Sequence, residues 1–152
     1  MSSFFVISTC AGAYGMVISA KDGKTGSKVA VKKVTPLTNQ TFCQRTLREI
    51  ILLSRIKHDN IVILQNVIAG DEDPLAEVYL VLNLMETDLH KLLKSLHRRS
   101  EFLSPSHTCF FLYQMFLGIK YIHSANIIHR QVFYVSFDCD IAIGCVLVSA
   151  CL

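Results

Sequence analysis

The order of the hydrophobic patterns constrains the fold of this chain more than any other feature of its sequence. Short β-branched runs at 17–20 and 28–34, on either side of a turn-rich segment, predict a hairpin. Apolar residues then recur at helical spacing, which predicts one amphipathic helix over 44–57. Two more strand-like runs follow at 61–64 and 78–82. We therefore predict an α+β fold, in which a small antiparallel sheet packs against one helix.

The chain becomes helical in character after its first 85 residues. A short amphipathic segment at 88–96 predicts one or two helical turns. Ser104 and Pro105 then supply an N-cap and a first-turn proline, which predict a helix that continues to about residue 124. That helix is apolar around most of its circumference, and such helices are normally buried inside a larger structure. It therefore needs packing partners beyond the predicted sheet.

The composition excludes several classes of protein. With 51% hydrophobic residues and a net charge of +3, the 152-residue chain is too apolar for a disordered coil. Its basic residues are spread along the chain, so no nucleic-acid partner is expected. The apolar excess is concentrated at 132–152, a segment without Lys, Arg, Glu or Pro. The uninterrupted apolar part, 141–152, is too short to span a bilayer, so a membrane anchor is not expected.

The cysteine pattern indicates the cellular compartment. The six cysteines show neither Cys-x-x-Cys pairing nor metal-ligand spacing, so we expect reduced thiols, as in a cytosolic protein. The first residues lack the charged segment and the full apolar run of a signal peptide. We therefore expect a cytoplasmic protein, and the sequence leaves a nuclear location open.

Four residues in a fixed order point to a phosphate-binding site. Gly12 and Gly15 lie between two strand candidates, where backbone N–H groups can approach a phosphate because no Cβ intervenes. Lys32 ends the run Val29-Ala30-Val31-Lys32 on a neighbouring strand, within reach of nucleotide phosphates. Glu49, on the predicted helix, can pair with that lysine. Each residue alone is more often a turn, a surface lysine or a solvated carboxylate, but the ordered set rarely arises by chance.

Five motifs follow one another along the chain. They are Gly12-Ala13-Tyr14-Gly15-Met16-Val17, Val29-Ala30-Val31-Lys32-Lys33, Gln44-Arg45-Thr46-Leu47-Arg48-Glu49-Ile50, Leu84-Met85-Glu86-Thr87-Asp88-Leu89 and Tyr121-Ile122-His123-Ser124-Ala125-Asn126-Ile127-Ile128-His129-Arg130. In this order they resemble the amino-terminal part of a eukaryotic protein kinase of the mitogen-activated protein kinase family. The resemblance implies a five-stranded antiparallel N-lobe with one helix and hinge at 1–85. The start of an incomplete C-lobe would occupy 86–130, and an unrelated apolar tail 131–152.

The resemblance also implies a function and a set of site residues. The function is ATP-dependent serine/threonine phosphotransfer to protein substrates in signalling, with ATP and Mg²⁺ as cofactors. Each implied role falls on a residue of this sequence: Cys10, Gly12, Ala13, Tyr14 and Gly15 in the phosphate-covering loop, Val17 and Ala30 around the adenine, Lys32 on the phosphates with Glu49 as its partner, Leu82 as gatekeeper, Asn83, Leu84 and Met85 as the hinge whose backbone hydrogen-bonds adenine, Asp88 on the ribose with Lys91 nearby, and His129 and Leu53 in the hydrophobic spine.

The departures from the family pattern concern catalysis. Cys10 stands at the first glycine of the loop, and Gln131 stands where the catalytic aspartate is expected. An amide cannot accept the substrate hydroxyl proton as a carboxylate does. The sequence contains no Asp-Phe-Gly, so the family's Mg²⁺ ligand is absent, and neither Asp138 nor Asp140 stands at its position. We therefore predict that the chain, truncated after the His-Arg of the catalytic loop, is inactive.

Two further readings remain open. The chain would be a non-catalytic isoform that binds nucleotide or a partner, or a mis-spliced product without function in which the sequence after Arg130 is out of frame or intronic. In every case the helix from Pro105 to Ser124 lacks the helices that would surround it. We therefore expect exposed apolar faces, low stability and aggregation.

Overall fold

The structure is a computed structural model, and it describes residues 4–12, 15–70, 74, 76–85 and 89–128. Several predicted features lie outside these ranges, namely Ala13, Tyr14, Asp88, His129, Gln131 and the tail 131–152. The chain divides into two compact units, Met1–Arg55 with Ile63–Leu84, and Ile56–Val62 with Met85–Leu152. The division predicted from the motifs stays a prediction, and each unit is described by itself.

The first unit is built on a five-stranded antiparallel sheet. Its strands are β1 (Phe4–Gly12), β2 (Gly15–Asp22), β3 (Lys28–Val34), β4 (Leu64–Ala69) and β5 (Val78–Asn83). Their order across the sheet is β1-β2-β3-β5-β4, and every neighbouring pair is antiparallel. A short 3₁₀ helix, Pro36–Thr38, and the helix α1 (Gln40–Arg55) connect β3 to β4. The predicted five-stranded sheet with one α-helix is confirmed.

Helix α1 begins four residues earlier than predicted because Asn39 caps it. Asn39 has an extended backbone, and its side-chain oxygen accepts the backbone N–H of Phe42 at 2.7 Å. This is the hydrogen bond of a helix N-cap. The helix ends at Arg55, two residues before the predicted end, and the next residue, Ile56, is buried and belongs to the second unit. The periodic apolar pattern therefore continues past the helix into a buried connection.

The strand predicted at 61–64 is wrong, because β4 begins at Leu64 and runs to Ala69. Ile61 and Val62 are buried, but they lie in a connection, where the N–H of Ile61 donates to the C=O of His58 at 3.0 Å. A short buried β-branched run has the same sequence pattern in a connection as in a strand. The other predicted strands lie within β2, β3 and β5, and the bounds predicted for β3 are correct.

The two faces of the sheet carry different side chains, because successive residues of a strand point to opposite faces. Ala30 and Lys32 point to the face that meets Glu49 of α1. The opposite face carries an apolar cluster of Ala20, Val29, Val31 and Val81, with Phe4, Ile68 and Tyr79 packed against it. An open groove of about 240 Å³ lies there, lined by apolar side chains that include Val6, Ile18 and Val31. The groove is therefore on the face away from Lys32.

The second unit contains helices α2 (Leu89–Arg98) and α3 (Pro105–Ser124). The observed bounds of α3 are the predicted ones. Ser104 is its N-cap, since the Ser104 hydroxyl accepts the backbone N–H of His107 at 3.3 Å, and Pro105 occupies the first turn. Helix α2 begins one residue later than the predicted segment and extends two residues further. The capping residues therefore predicted a helix boundary more accurately than periodicity alone.

Helix α3 is only partly buried, as predicted. Ile122 is fully buried, whereas Phe110, Tyr113 and Phe116 are 55%, 62% and 64% exposed. These exposed fractions are large for aromatic side chains, which are normally buried to a high degree. None of the helices in the described part of the chain has the length and apolarity needed to cross a membrane.

Candidate functional site

An ion pair between β3 and α1 is the centre of the candidate site. Nζ of Lys32 lies 2.8 Å from Oε1 and 3.1 Å from Oε2 of Glu49, so both carboxylate oxygens accept hydrogen bonds. The two side chains are 20% and 18% exposed, so water screens the pair only in part. Charge-assisted hydrogen bonds of this kind are strong and orient both groups. The pairing expected from the order of the residues is therefore present.

The strand register places four of the predicted site residues on one face of the sheet. Val17 is directly opposite Lys32, and Leu82 is directly opposite Ala30. Residues directly opposite each other in an antiparallel pair share a face, as do Ala30 and Lys32 two positions apart. Leu82 is buried, whereas Val17 and Ala30 are half-buried. The face that holds the Lys32 ammonium therefore also presents a small apolar surface beside it.

The β1–β2 hairpin brings the two predicted glycines together. Gly12, the last residue of β1, is opposite Gly15, the first residue of β2, and Cys10 is opposite Val17. The turn between the strands consists of two residues that the structure does not describe. Because glycine has no Cβ, a ligand can approach the backbone closely on both sides of this turn. The hairpin is contiguous with β3, since Val17 of β2 pairs with Lys32.

The predicted hinge begins at the end of β5. Asn83 is the last residue of that strand, and its side-chain oxygen accepts a hydrogen bond from Nε2 of Gln65 at 2.8 Å. Its backbone N–H donates to the C=O of Ile63 at 3.4 Å. Leu84 follows in the same unit, and Met85 belongs to the second unit. The sequence did not predict the contact with Gln65, because no local pattern marks it.

A second ion pair lies on the opposite face of the sheet. Lys33 pairs with Glu77, and the Tyr79 hydroxyl donates to Oε2 of Glu77 at 2.6 Å. The hydrogen bond from Lys33, followed by that from Tyr79, lowers the pKa of Glu77 below its ordinary value. The hydrogen bond that Lys33 makes to Glu77 raises the pKa of Lys33, and the separate bond that Tyr79 makes to Glu77 raises the pKa of Tyr79. This network also was not predicted, since Lys33 and Glu77 are 44 residues apart.

The remaining predicted residues are distributed between the two units. Leu53 is buried on α1 in the first unit, and Lys91 lies on α2 in the second. The structure therefore brings together Val17, Ala30, Lys32, Glu49 and Leu82. The nucleotide-binding role assigned to all of these residues stays a prediction. Within the described ranges, no group of three or more His, Cys, Asp or Glu side chains is placed to hold a metal ion.

Comparison with known proteins gives one family. The protein kinase domain matches residues 10–132. The mitogen-activated protein kinase mpk-1 of Caenorhabditis elegans is 54% identical over 121 residues, which are 79% of this chain and 26% of that protein. The mitogen-activated protein kinase homolog NTF6 of Nicotiana tabacum is 40% identical over 138 residues, 87% of this chain and 36% of the relative.

These figures confirm the family and show how much of it is present. The chain spans about a quarter to a third of the length of these relatives, at 26% and 36%. The matched residues include the β1–β2 hairpin from Cys10 onward, both members of the Lys32–Glu49 pair and the end of β5. Since the domain match covers most of its residues, the chain belongs to the protein kinase superfamily and, within it, to the mitogen-activated protein kinase family.

Proposed function

We propose that this chain is a MAP-kinase-like protein that binds ATP through the Lys32 face of its sheet and does not itself transfer phosphate. Protein kinases use ATP and Mg²⁺ and act on proteins, which supports the choice of ligand. The observation that carries the proposal is the Lys32–Glu49 ion pair, with Nζ–Oε distances of 2.8 and 3.1 Å. A lysine held in this way presents a positive charge at a fixed position.

Residues around the Lys32–Glu49 pair could each contact a different part of a bound nucleotide. The Lys32 ammonium has three N–H donors, so its bonds to one carboxylate leave donor capacity for a phosphate oxygen. Glu49 keeps the long lysine side chain in one orientation, which lowers the entropy lost on binding. Gly12 and Gly15 face each other across the hairpin and have no Cβ, so a phosphate could approach their backbone closely. Val17 and Ala30 offer an apolar surface to the base. When bound, ATP would supply the phosphoryl group that kinases transfer.

The sequence at the expected catalytic loop argues against transfer by this chain. Gln131 stands at the position of the catalytic aspartate, and an amide neither accepts the substrate proton nor carries a negative charge. The described residues include no cluster of potential metal ligands, so we assign no Mg²⁺ site to them. Kinases of this family act on protein substrates, and we assign no substrate to this chain. We further propose a cytoplasmic location, supported only by the cysteine and N-terminal patterns.

Nucleotide binding is tested with Lys32→Met. We expect the wild-type chain to bind ATP and Lys32→Met to bind it about tenfold or more weakly, because a charge-assisted hydrogen bond to phosphate is lost. Isothermal titration calorimetry gives both dissociation constants. Lys24→Met, in the exposed β2–β3 turn, removes one positive charge away from the site and should bind like the wild type. Equal affinities in the wild type and Lys32→Met, or no binding by the wild type at millimolar ATP, would contradict the proposal.

The absence of phosphotransfer is a separate prediction. With radiolabelled ATP, Mg²⁺ and a generic protein substrate, we expect the wild-type chain to incorporate no more phosphate than Lys32→Met. Incorporation above that control would show that the chain is active without the catalytic aspartate.

The alternative that this chain is a mis-spliced product without function is tested by sequencing the transcript across the codons for Arg130 and Gln131. A dominant message that continues into Asp-Leu-Lys-Pro would favour that reading over our proposal.

A further inference from the structure

Strand β4 contains a β-bulge that places one side chain on the end of β5. Leu64 is opposite Leu82 and Asn66 is opposite Val81, so Gln65 is an extra residue on β4. Bulges of this kind redirect the side chain of the extra residue. Here Nε2 of Gln65 donates to Oδ1 of Asn83 at 2.8 Å. The bulge therefore produces a specific contact between two strands of the same unit.

This contact is the shorter of two hydrogen bonds that join Asn83 to β4 and to the residue before it. The other is the bond from the N–H of Asn83 to the C=O of Ile63, at 3.4 Å. A backbone hydrogen bond of that length is weak. Asn83 is also directly opposite Val29 of β3, which supports the strand end on its other side. On the β4 side, the position of Asn83 therefore depends mainly on the side chain of Gln65.

We propose that Gln65 is a positioning residue for base recognition: by holding Asn83, it sets the backbone from Asn83 onward that contacts the base, and so favours adenine over other bases. The inference rests on the proposed function. Recognition of a base by backbone groups requires placement to within about 0.5 Å, so a loose strand end lowers selectivity. Contacts to the phosphates depend on Lys32 in β3 and do not involve β4.

Two substitutions at Gln65 separate its hydrogen bond from its bulk. Gln65→Met has nearly the same length but cannot donate a hydrogen bond. Gln65→Glu can still accept one from the side-chain amide of Asn83 once that amide is rotated. Asn66→Ala is the matched control, because Asn66 is the next exposed residue and its side-chain oxygen accepts the N–H of Val67 instead. Gln65 itself is exposed, so these variants should fold, and thermal melts of each chain verify this.

The measurement compares three ligands, ATP, GTP and inorganic tripolyphosphate, by calorimetry on the full chain. For Gln65→Met we expect ATP to bind about threefold more weakly and the preference for ATP over GTP to fall by the same factor. Tripolyphosphate should bind to every variant as it does to the wild type. Gln65→Glu and Asn66→Ala should keep the wild-type preference, since the first retains a hydrogen bond and the second never had one to Asn83.

The outcomes distinguish failure of this inference from failure of the proposed function. An unchanged ATP-to-GTP preference in Gln65→Met, with ATP still bound, would overturn the role of Gln65 alone. An equal loss of ATP and tripolyphosphate would also overturn it, because it would show a general structural defect. A wild-type chain that binds no ATP would overturn both, and the Lys32→Met comparison would then show no binding in either protein.

Discussion

Two adjacent lysines of β3 have different partners because the strand turns them to opposite faces. Lys32 pairs with Glu49 of α1, and Lys33 pairs with Glu77, which also accepts the Tyr79 hydroxyl. The alternation of side chains along a strand is sufficient to explain the difference. The first pair lies on the face that we propose for the nucleotide. The second joins β3 to Glu77, the residue before β5, and lies on the face opposite the proposed nucleotide site.

The Lys33–Glu77 pair leads to a prediction at the scale of single residues. Because the hydrogen bond from Lys33 is the largest cause of the lowered pKa of Glu77, Lys33→Met should move that pKa up toward 4.5. A carboxyl whose pKa is lowered by folding contributes stability above its unfolded pKa. That contribution disappears as the pH falls through the folded value. Carboxyl-carbon NMR titration of the wild type and Lys33→Met measures both midpoints.

The control for this titration is Lys24→Met, which removes a lysine outside the network and should leave the Glu77 midpoint unchanged. The Tyr79 hydroxyl still donates in Lys33→Met, so the pKa of Glu77 should rise only part of the way. A midpoint for Glu77 that is the same in the wild type and in Lys33→Met would show that Lys33 does not stabilise the carboxylate.

At the scale of elements, local signals determined which boundaries could be predicted. Strand β3 and helix α3 have the predicted bounds, because each is marked by local residues: a β-branched run in one, and Ser104 with Pro105 in the other. Strand β4 was misplaced, because its own residues Gln65 to Val67 are exposed and show little pattern, while the buried residues precede it. A hydrophobic run reports burial, and burial is not specific to strands.

The candidate site could be predicted only in part, for a related reason. The Lys32–Glu49 pair followed from an ordered set of residues, each with its own chemistry. The contact between Gln65 and Asn83 depends on a bulge, which is a property of the register between two strands. No single strand carries that information. Contacts of this type therefore had to be read from the structure.

At the scale of the whole molecule, the unusual feature is that α3 exposes aromatic side chains that a globular protein normally buries. Phe110, Tyr113 and Phe116 follow one another at intervals of three residues, so they extend along one side of the helix. Burying a phenylalanine is worth about 1.5–3 kcal/mol relative to leaving it exposed. Contiguous exposed apolar surface is a site of association, whereas isolated exposed apolar residues are common and harmless.

We therefore expect the chain to self-associate through this side of α3. Phe110→Gln combined with Phe116→Gln should weaken association by about tenfold or more, since two aromatic contacts are lost. It should not lower the melting temperature, because both side chains are exposed in the folded chain. Sedimentation velocity over a range of concentrations measures the association. Leu37→Gln, at an exposed apolar residue of the first unit, is the control and should associate like the wild type. A wild-type chain that stays monomeric, or a double variant that associates as strongly, would show that α3 is not the contact. The second result would direct attention to the apolar segment 132–152, which every one of these proteins retains.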